Sequence, residues 1–196
     1  MRRIIGWIGL MATVFLLKGT TLMAADTDQV AVVETKFGKI VIEFYEKDAP
    51  KTVANFIKLA KDGYYNGTTF HRVIPGFMVQ GGDSNSKSGD RSTHGTGGPG
   101  YTVEAEIKHD HKRGTVATAR LSDDVNPQKR SSGSQFFINV NDNTNLNGGY
   151  TVFGNVIAGM DVADKIVAVP RDGNNNPNEK VDMKVSITTR AEALKK

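Results

Sequence analysis

The feature that most limits this chain is the shortness of its apolar runs. Between residues 30 and 188, β-branched and aromatic residues gather in segments of four to seven, separated by glycine or polar clusters. Runs that short build strands more readily than helices, and the 21 glycines of the chain supply turns rather than a helical bundle.

Val30–Thr35 and Lys39–Tyr45, joined through Lys36-Phe37-Gly38, read as a hairpin. Pro50 suits a first helical turn, Val53, Phe56, Ile57 and Ala60 recur at helical spacing, and Gly63 closes that helix. Further strands are expected at Thr69–Val73, Met78–Gly81, Thr115–Ala119, Gln135–Asn139 and Val152–Val156. A helix follows over Met160–Val167, then a last strand at Met183–Thr188. Asp172–Asn178 reads as a loop and Ala191–Lys196 as a frayed tail. Eight short strands with two helices predict a mainly β fold, a closed or nearly closed antiparallel barrel with helical caps. With no internal repeat or linker, residues 26–196 read as one domain.

The first 25 residues read differently. Arg2 and Arg3 precede the largely apolar run Ile4–Leu17, and Ala24 and Ala25 stand before Asp26. That is the layout of a cleavable export signal, with an uncleaved N-terminal anchor as the alternative, and the run is short for a membrane span. It implies a periplasmic protein, free of the membrane once the signal is cleaved. The same segment carries three of the basic residues and no acid. Without it, 22 basic residues face 21 acidic ones, a net charge of +1 that offers little to a nucleic acid.

Most familiar chemistry is poorly supported. Absence of cysteine removes disulfides, thiol nucleophiles and thiolate zinc sites. His71, His94, His109 and His111 show no zinc-helix spacing, and His109-Asp110-His111 reads as an exposed stretch, so no metal is expected. Gly95–Gly100 lacks the lysine and following helix of a phosphate loop, and reads as flexible or close-packed. No serine elbow is present.

One segment stands out: Phe70-His71-Arg72-Val73-Ile74-Pro75-Gly76-Phe77-Met78-Val79-Gln80-Gly81-Gly82-Asp83. As a strand it would place Arg72 on one face with Phe70 and Ile74, and Met78 with Gln80 on another. An ordinary core with snorkelling polar ends is the plain alternative. The segment closely resembles the signature of cyclophilin-type peptidyl-prolyl cis-trans isomerases. Gly133-Ser134-Gln135-Phe136-Phe137-Ile138, Tyr150-Thr151-Val152-Phe153-Gly154 and Gly159-Met160-Asp161-Val162-Ala163 are similar to later blocks of that family, in family order. The likeness spans roughly Val30 to Thr189 and is greatest to periplasmic members from Gram-negative bacteria.

The resemblance implies an eight-stranded antiparallel barrel capped by two helices, and catalysis of rotation about the bond preceding proline without a cofactor. It implies Arg72, Gln80 and Phe77 as catalytic residues. Met78, Ala119, Arg120, Gln135, Phe137, Leu146 and Tyr150 would bind substrate, with the Ala119–Arg120 strand pairing with the peptide backbone. The implied partners are proline-containing peptides and unfolded exported proteins, and the implied state is a monomer. Asn145 stands where eukaryotic members carry tryptophan and Tyr150 where they carry histidine, which implies weak cyclosporin binding. Arg120 stands where many members have asparagine, and the Leu121–Ser132 loop is longer and more polar. A proline-peptide binding module without catalysis, and a chaperone using the barrel as scaffold, are the alternatives.

Overall fold

A computed structural model describes residues 28–195; the export signal expected over residues 1–25 lies outside them. Lys36 and Phe37 turn the first hairpin, β1 (Gln29–Thr35) and β2 (Gly38–Phe44). Its tightness rests on Gly38, whose φ of +129° belongs to glycine and whose missing Cβ leaves room for Val162. Helix α1 (Pro50–Lys61) follows. No nearby side chain caps it. Instead the Glu106 carboxylate accepts from the amides of Lys51 at 3.0 Å and Thr52 at 2.9 Å, satisfying orphan donors at the positive end. Its apolar stripe buries Val53, Phe56, Leu59 and Ala60, and the Phe56 ring packs on Tyr65, Phe136 and Phe153 at 4.9–5.5 Å between centroids.

The remaining elements are β3 (Arg72–Ile74), β4 (Met78–Gly81), β5 (Thr102–Val103), β6 (Thr115–Thr118), β7 (Ser131–Ser132), β8 (Phe136–Asn139), β9 (Val152–Ala158), α2 (Met160–Val167), β10 (Lys184–Thr189) and α3 (Arg190–Ala193). The expected strand over Thr69–Val73 begins later, at Arg72, because Thr68 and Phe70 bond to another segment. Of the tail expected to fray over Ala191–Lys196, Ala191–Ala193 belong to a helical turn that Thr189 caps, and the preceding Arg190 pairs with Asp28 at 3.3 Å and Glu43 at 2.5 Å. The two-residue pair β5–β7 has no apolar period and was not expected.

Eight strands form one antiparallel sheet in the order β10-β1-β2-β9-β6-β8-β4-β3. The expected closed barrel is corrected here: the sheet is a curled half-barrel whose margins, β10 and β3, do not pair. A short bridge joins the two sides just ahead of those strands, where Phe70 N donates to Val181 O at 3.0 Å and Met183 N to Thr68 O at 2.8 Å. In that antiparallel register β3 follows Thr69 and β10 follows Asp182, so the two strands run away from each other and the ladder stops.

Strand alternation gives the sheet two apolar faces. Val79, Val116, Phe136, Ile138 and Phe153 point into the main core with α1 and α2. Met78, Ala117, Phe137 and Val152 point the other way and make a separate cluster with Ile74, Phe77, Leu146 and Tyr150. Phe70 belongs to the first set and Ile74 to the second, so Phe70 does not share the Arg72 face as the sequence suggested. That second face carries the candidate site.

Candidate active site

The register of five strands lines up one row of residues. Arg72 on β3 stands opposite Gln80 on β4, Gln80 opposite Phe137 on β8, Phe137 opposite Ala117 on β6, and Ala117 opposite Val152 on β9. One end of the row is a guanidinium and a carboxamide; the rest is apolar floor. A cavity of about 480 Å³ lies over it. Arg72, Phe77, Met78, Gln80, Ala119, Arg120, Phe137, Leu146 and Tyr150 all line this cavity.

Gln135 does not line it and stands behind Gln80. Arg72 Nη1 donates to Gln80 Oε1 at 3.2 Å, and Gln80 Nε2 to Gln135 Oε1 at 3.0 Å. Gln135 Nε2 then donates to the carbonyls of Gly95 at 3.0 Å and Gly97 at 2.8 Å. Because arginine can only donate, the chain fixes which way each amide points. Within the glycine run Gly97 is close-packed, since a Cβ on it would collide with Asp83 and Ser84, while Gly100 faces open space. Arg72 itself is exposed and lines the cavity, and Gln80 is the one side-chain partner its guanidinium has among the described residues.

The apolar wall is braced from below. Asn143 Nδ2 donates to Phe77 O at 2.9 Å and to Asn139 Oδ1 at 2.6 Å. Asn139 Nδ2 in turn meets His111 Nδ1 at 3.2 Å. The His111 ring stacks on Phe137 (5.8 Å, 11°), with Tyr150 edge-on to both. His111 is therefore fully buried, not exposed as its polar neighbours suggested, and burial lowers its pKa. Arg120 lies over Tyr150, its Cζ 4.6 Å from the ring centroid, while Nε donates to Gly149 O at 2.6 Å and Nη1 pairs with Asp123 at 2.5 Å.

Of the two residues expected to pair with a peptide backbone, Ala119 is already engaged. Its N–H donates to Gln135 O at 2.9 Å and its C=O accepts from Ser132 at 2.8 Å. Among the described residues the backbone N–H and C=O of Arg120 take no partner, leaving one open donor and acceptor beside the cavity.

Sequence reasoning missed the cavity's polar wall of His71, Arg91, Ser92, His94, Gly95, Asp172, Asn174 and Asn176. Arg91 straps it together, reaching Asp172 at 3.4 Å, Asn176 Oδ1 at 3.2 Å and Asn178 O at 2.7 Å. Asn176 Nδ2 meets His94 Nδ1 at 2.7 Å, and Val73, next to Arg72, donates its amide to Asn175 O at 2.8 Å. His71 sits behind this wall, 4% exposed, with neither ring nitrogen hydrogen-bonded. Burial drives its pKa down to about 4, against the pull of Asp83. The adjacency of His71 to Arg72 was the one available signal. No group of three histidine, aspartate or glutamate side chains is placed to hold a metal among the described residues.

Residues 30–188 match the family model described as cyclophilin type peptidyl-prolyl cis-trans isomerase. The chain belongs to this family. It is 41% identical over 178 residues to peptidyl-prolyl cis-trans isomerase A of Dickeya dadantii, covering 88% of each chain. Peptidyl-prolyl cis-trans isomerase B of Bacillus subtilis is 46% identical over 128 residues, 64% of this chain and 80% of the relative. A Cryptosporidium parvum cyclophilin superposes with a TM-score of 0.74 at 30% identity, over 83% of this chain and 98% of its own. A second structure of that cyclophilin, solved in the presence of the dipeptide Ala-Pro, superposes with a TM-score of 0.72 at 30% identity, covering 82% and 98%.

As a cyclophilin-type isomerase the protein catalyses rotation about peptide bonds preceding proline. The barrier to that rotation, about 18–20 kcal/mol, is the loss of amide resonance. No bond breaks, so catalysis requires tighter binding of the twisted amide than of either planar form.

Proposed function

We propose that the cavity over the Arg72–Val152 row binds proline-containing peptides and unfolded exported proteins, and that the protein accelerates their folding as a periplasmic monomer after loss of residues 1–25. The carrying observation is the adjacency, in one register row, of an exposed guanidinium held by Gln80 and an apolar floor of Phe137, Ala117 and Val152. The Ala-Pro dipeptide used with the Cryptosporidium relative supports this substrate class.

In this reading the proline ring enters between Phe77, Met78, Phe137 and Leu146. The open N–H and C=O of Arg120 pair with the residue before proline, which selects for backbone rather than side chain. As the amide twists, the prolyl nitrogen regains its lone pair. Arg72 then donates to it, a bond available only in the twisted state. Gln80 holds the guanidinium in place, and Gln135 holds Gln80.

The substrate reading is tested by titrating an Ala-Pro peptide into isotope-labelled protein. Methyl signals of Met78 and Leu146 should shift, and cis and trans peptide signals should exchange. Shifts confined to another surface would overturn it. The export reading is tested by expressing the full chain in a Gram-negative host and sequencing the product's N-terminus. A periplasmic form beginning near Asp26 is expected; a full-length form in cytosol or membrane contradicts it.

A further inference from the structure

Two Asn–Gly steps occur in the chain, Asn66–Gly67 and Asn147–Gly148. Such steps can lose ammonia when the glycine amide nitrogen attacks the asparagine side-chain carbonyl, because no Cβ hinders the approach. The structure treats the two differently. The Gly67 N–H donates to Met183 O at 3.0 Å, and Asn66 Oδ1 accepts from Val185 at 3.2 Å. Among the described residues the Gly148 N–H has no partner, and both Asn147 and Gly148 are exposed.

Asn147–Gly148 forms the centre of a type II turn. Asn147 has φ −57° and ψ 138°, Gly148 has φ +70°, and Gly149 N closes the turn onto Leu146 O at 3.0 Å. Two neighbours favour reaction there. His111 N donates to Asn147 Oδ1 at 2.8 Å, drawing electrons from the carbon under attack and steadying the oxyanion that forms. Lys129 Nζ binds Gly148 O at 2.9 Å, and the positive charge held one residue away eases loss of the Gly148 amide proton by Coulomb attraction.

We propose that Asn147 is a site of spontaneous deamidation that ages the enzyme at its substrate cavity. The Gly148 nitrogen gives its proton to solvent and bonds to the Asn147 side-chain carbon. Nδ2 takes a proton from solvent, its bond to that carbon breaks, ammonia leaves, and a succinimide remains. Water opens the ring at either carbonyl, giving aspartate or isoaspartate at position 147. Isoaspartate lengthens the backbone by one carbon immediately after Leu146, a cavity residue, and places a carboxylate beside Lys129 and Arg120. The effect on activity rests on the reading of this cavity as the proline-peptide site; the covalent change does not.

The test ages purified protein in mildly alkaline buffer and follows each Asn–Gly peptide by mass mapping, with isoaspartate labelled enzymatically. The Asn147 peptide should convert at least about fivefold faster than the Asn66 peptide, the factor set by the net strength of the hydrogen bond protecting Gly67. KM for an Ala-Pro peptide should rise in step, and an Asn147→Ser variant should hold both its mass and its KM. An unchanged Asn147, or an Asn66 that keeps pace, overturns the proposal. Full conversion at Asn147 with constant KM overturns its consequence for activity. Since mass mapping needs no peptide binding, failure of the substrate reading is told apart from failure of this one.

Discussion

Arg72 and Gln80 face each other across the β3–β4 pair, and the guanidinium Nη1 donates to Gln80 Oε1 at 3.2 Å. The carboxamide cannot turn over, because its own Nε2 is committed to Gln135. An exposed arginine ordinarily samples many rotamers; here a buried glutamine limits that freedom from two residues away.

Gln135→Met should therefore act through Arg72. It leaves Gln80 Nε2 and the carbonyls of Gly95 and Gly97 without their partner. The expected loss is roughly tenfold in kcat/KM, carried by kcat, with about 1–2 kcal/mol of stability. Peptide kinetics and urea unfolding on one preparation check both; loss in KM alone would place Gln135 in substrate binding instead.

Leu146→Ala should divide the parameters the other way. Leu146 is a half-buried cavity wall that no hydrogen bond ties to Arg72. Removing its side chain weakens planar and twisted forms alike, raising KM by roughly tenfold for about 1–2 kcal/mol of lost apolar contact while kcat holds.

Acid should destabilise the fold through His71. Its pKa is near 4 when folded and near its ordinary 6.5 when unfolded. Between those values the unfolded chain binds the extra proton, so stability is full above pH 6.5 and declines on acidification until about pH 4. The loss is of order 3 kcal/mol, with burial the main cause and His94 and Arg72 adding to it against Asp83. Buried His111 acts in the same direction. Denaturant melts at neutral and acid pH should differ by that order, and His71→Asn should shrink the difference.

Gly154→Ala should be severely destabilising. A Cβ there would run into the carbonyl of Glu43 and sit 3.1 Å from Ile42 Cγ2, so β2 and β9 could not keep their pairing. Thermal unfolding should show a loss above about 3 kcal/mol.

The sequence disclosed the parts of this molecule that are local. β4, β8 and α2 were visible because alternation or helical period marks each one, and because the residues from Arg72 to Gln80 lie within nine positions of one another. What escaped depends on distant segments meeting. Barrel closure failed because the two margins meet ahead of β3 and β10, at Thr68–Phe70 and Val181–Met183, a long-range pairing that composition does not show. The polar wall joins Arg91 and His94 to Asp172–Asn176 across some eighty positions through hydrogen bonds that leave no periodic trace. His111 looked exposed since its neighbours are charged; the asparagines that make its burial tolerable, Asn139 and Asn143, stand on β8 and just beyond it.

The most direct test is isomerisation of a short Ala-Pro peptide by the protein lacking residues 1–25, beside an Arg72→Ala variant of it. A donor that acts only on the twisted amide should account for about a hundredfold or more in kcat/KM, with peptide affinity nearly unchanged. Equal catalysis by both proteins would contradict the role assigned to Arg72 and the site built around it.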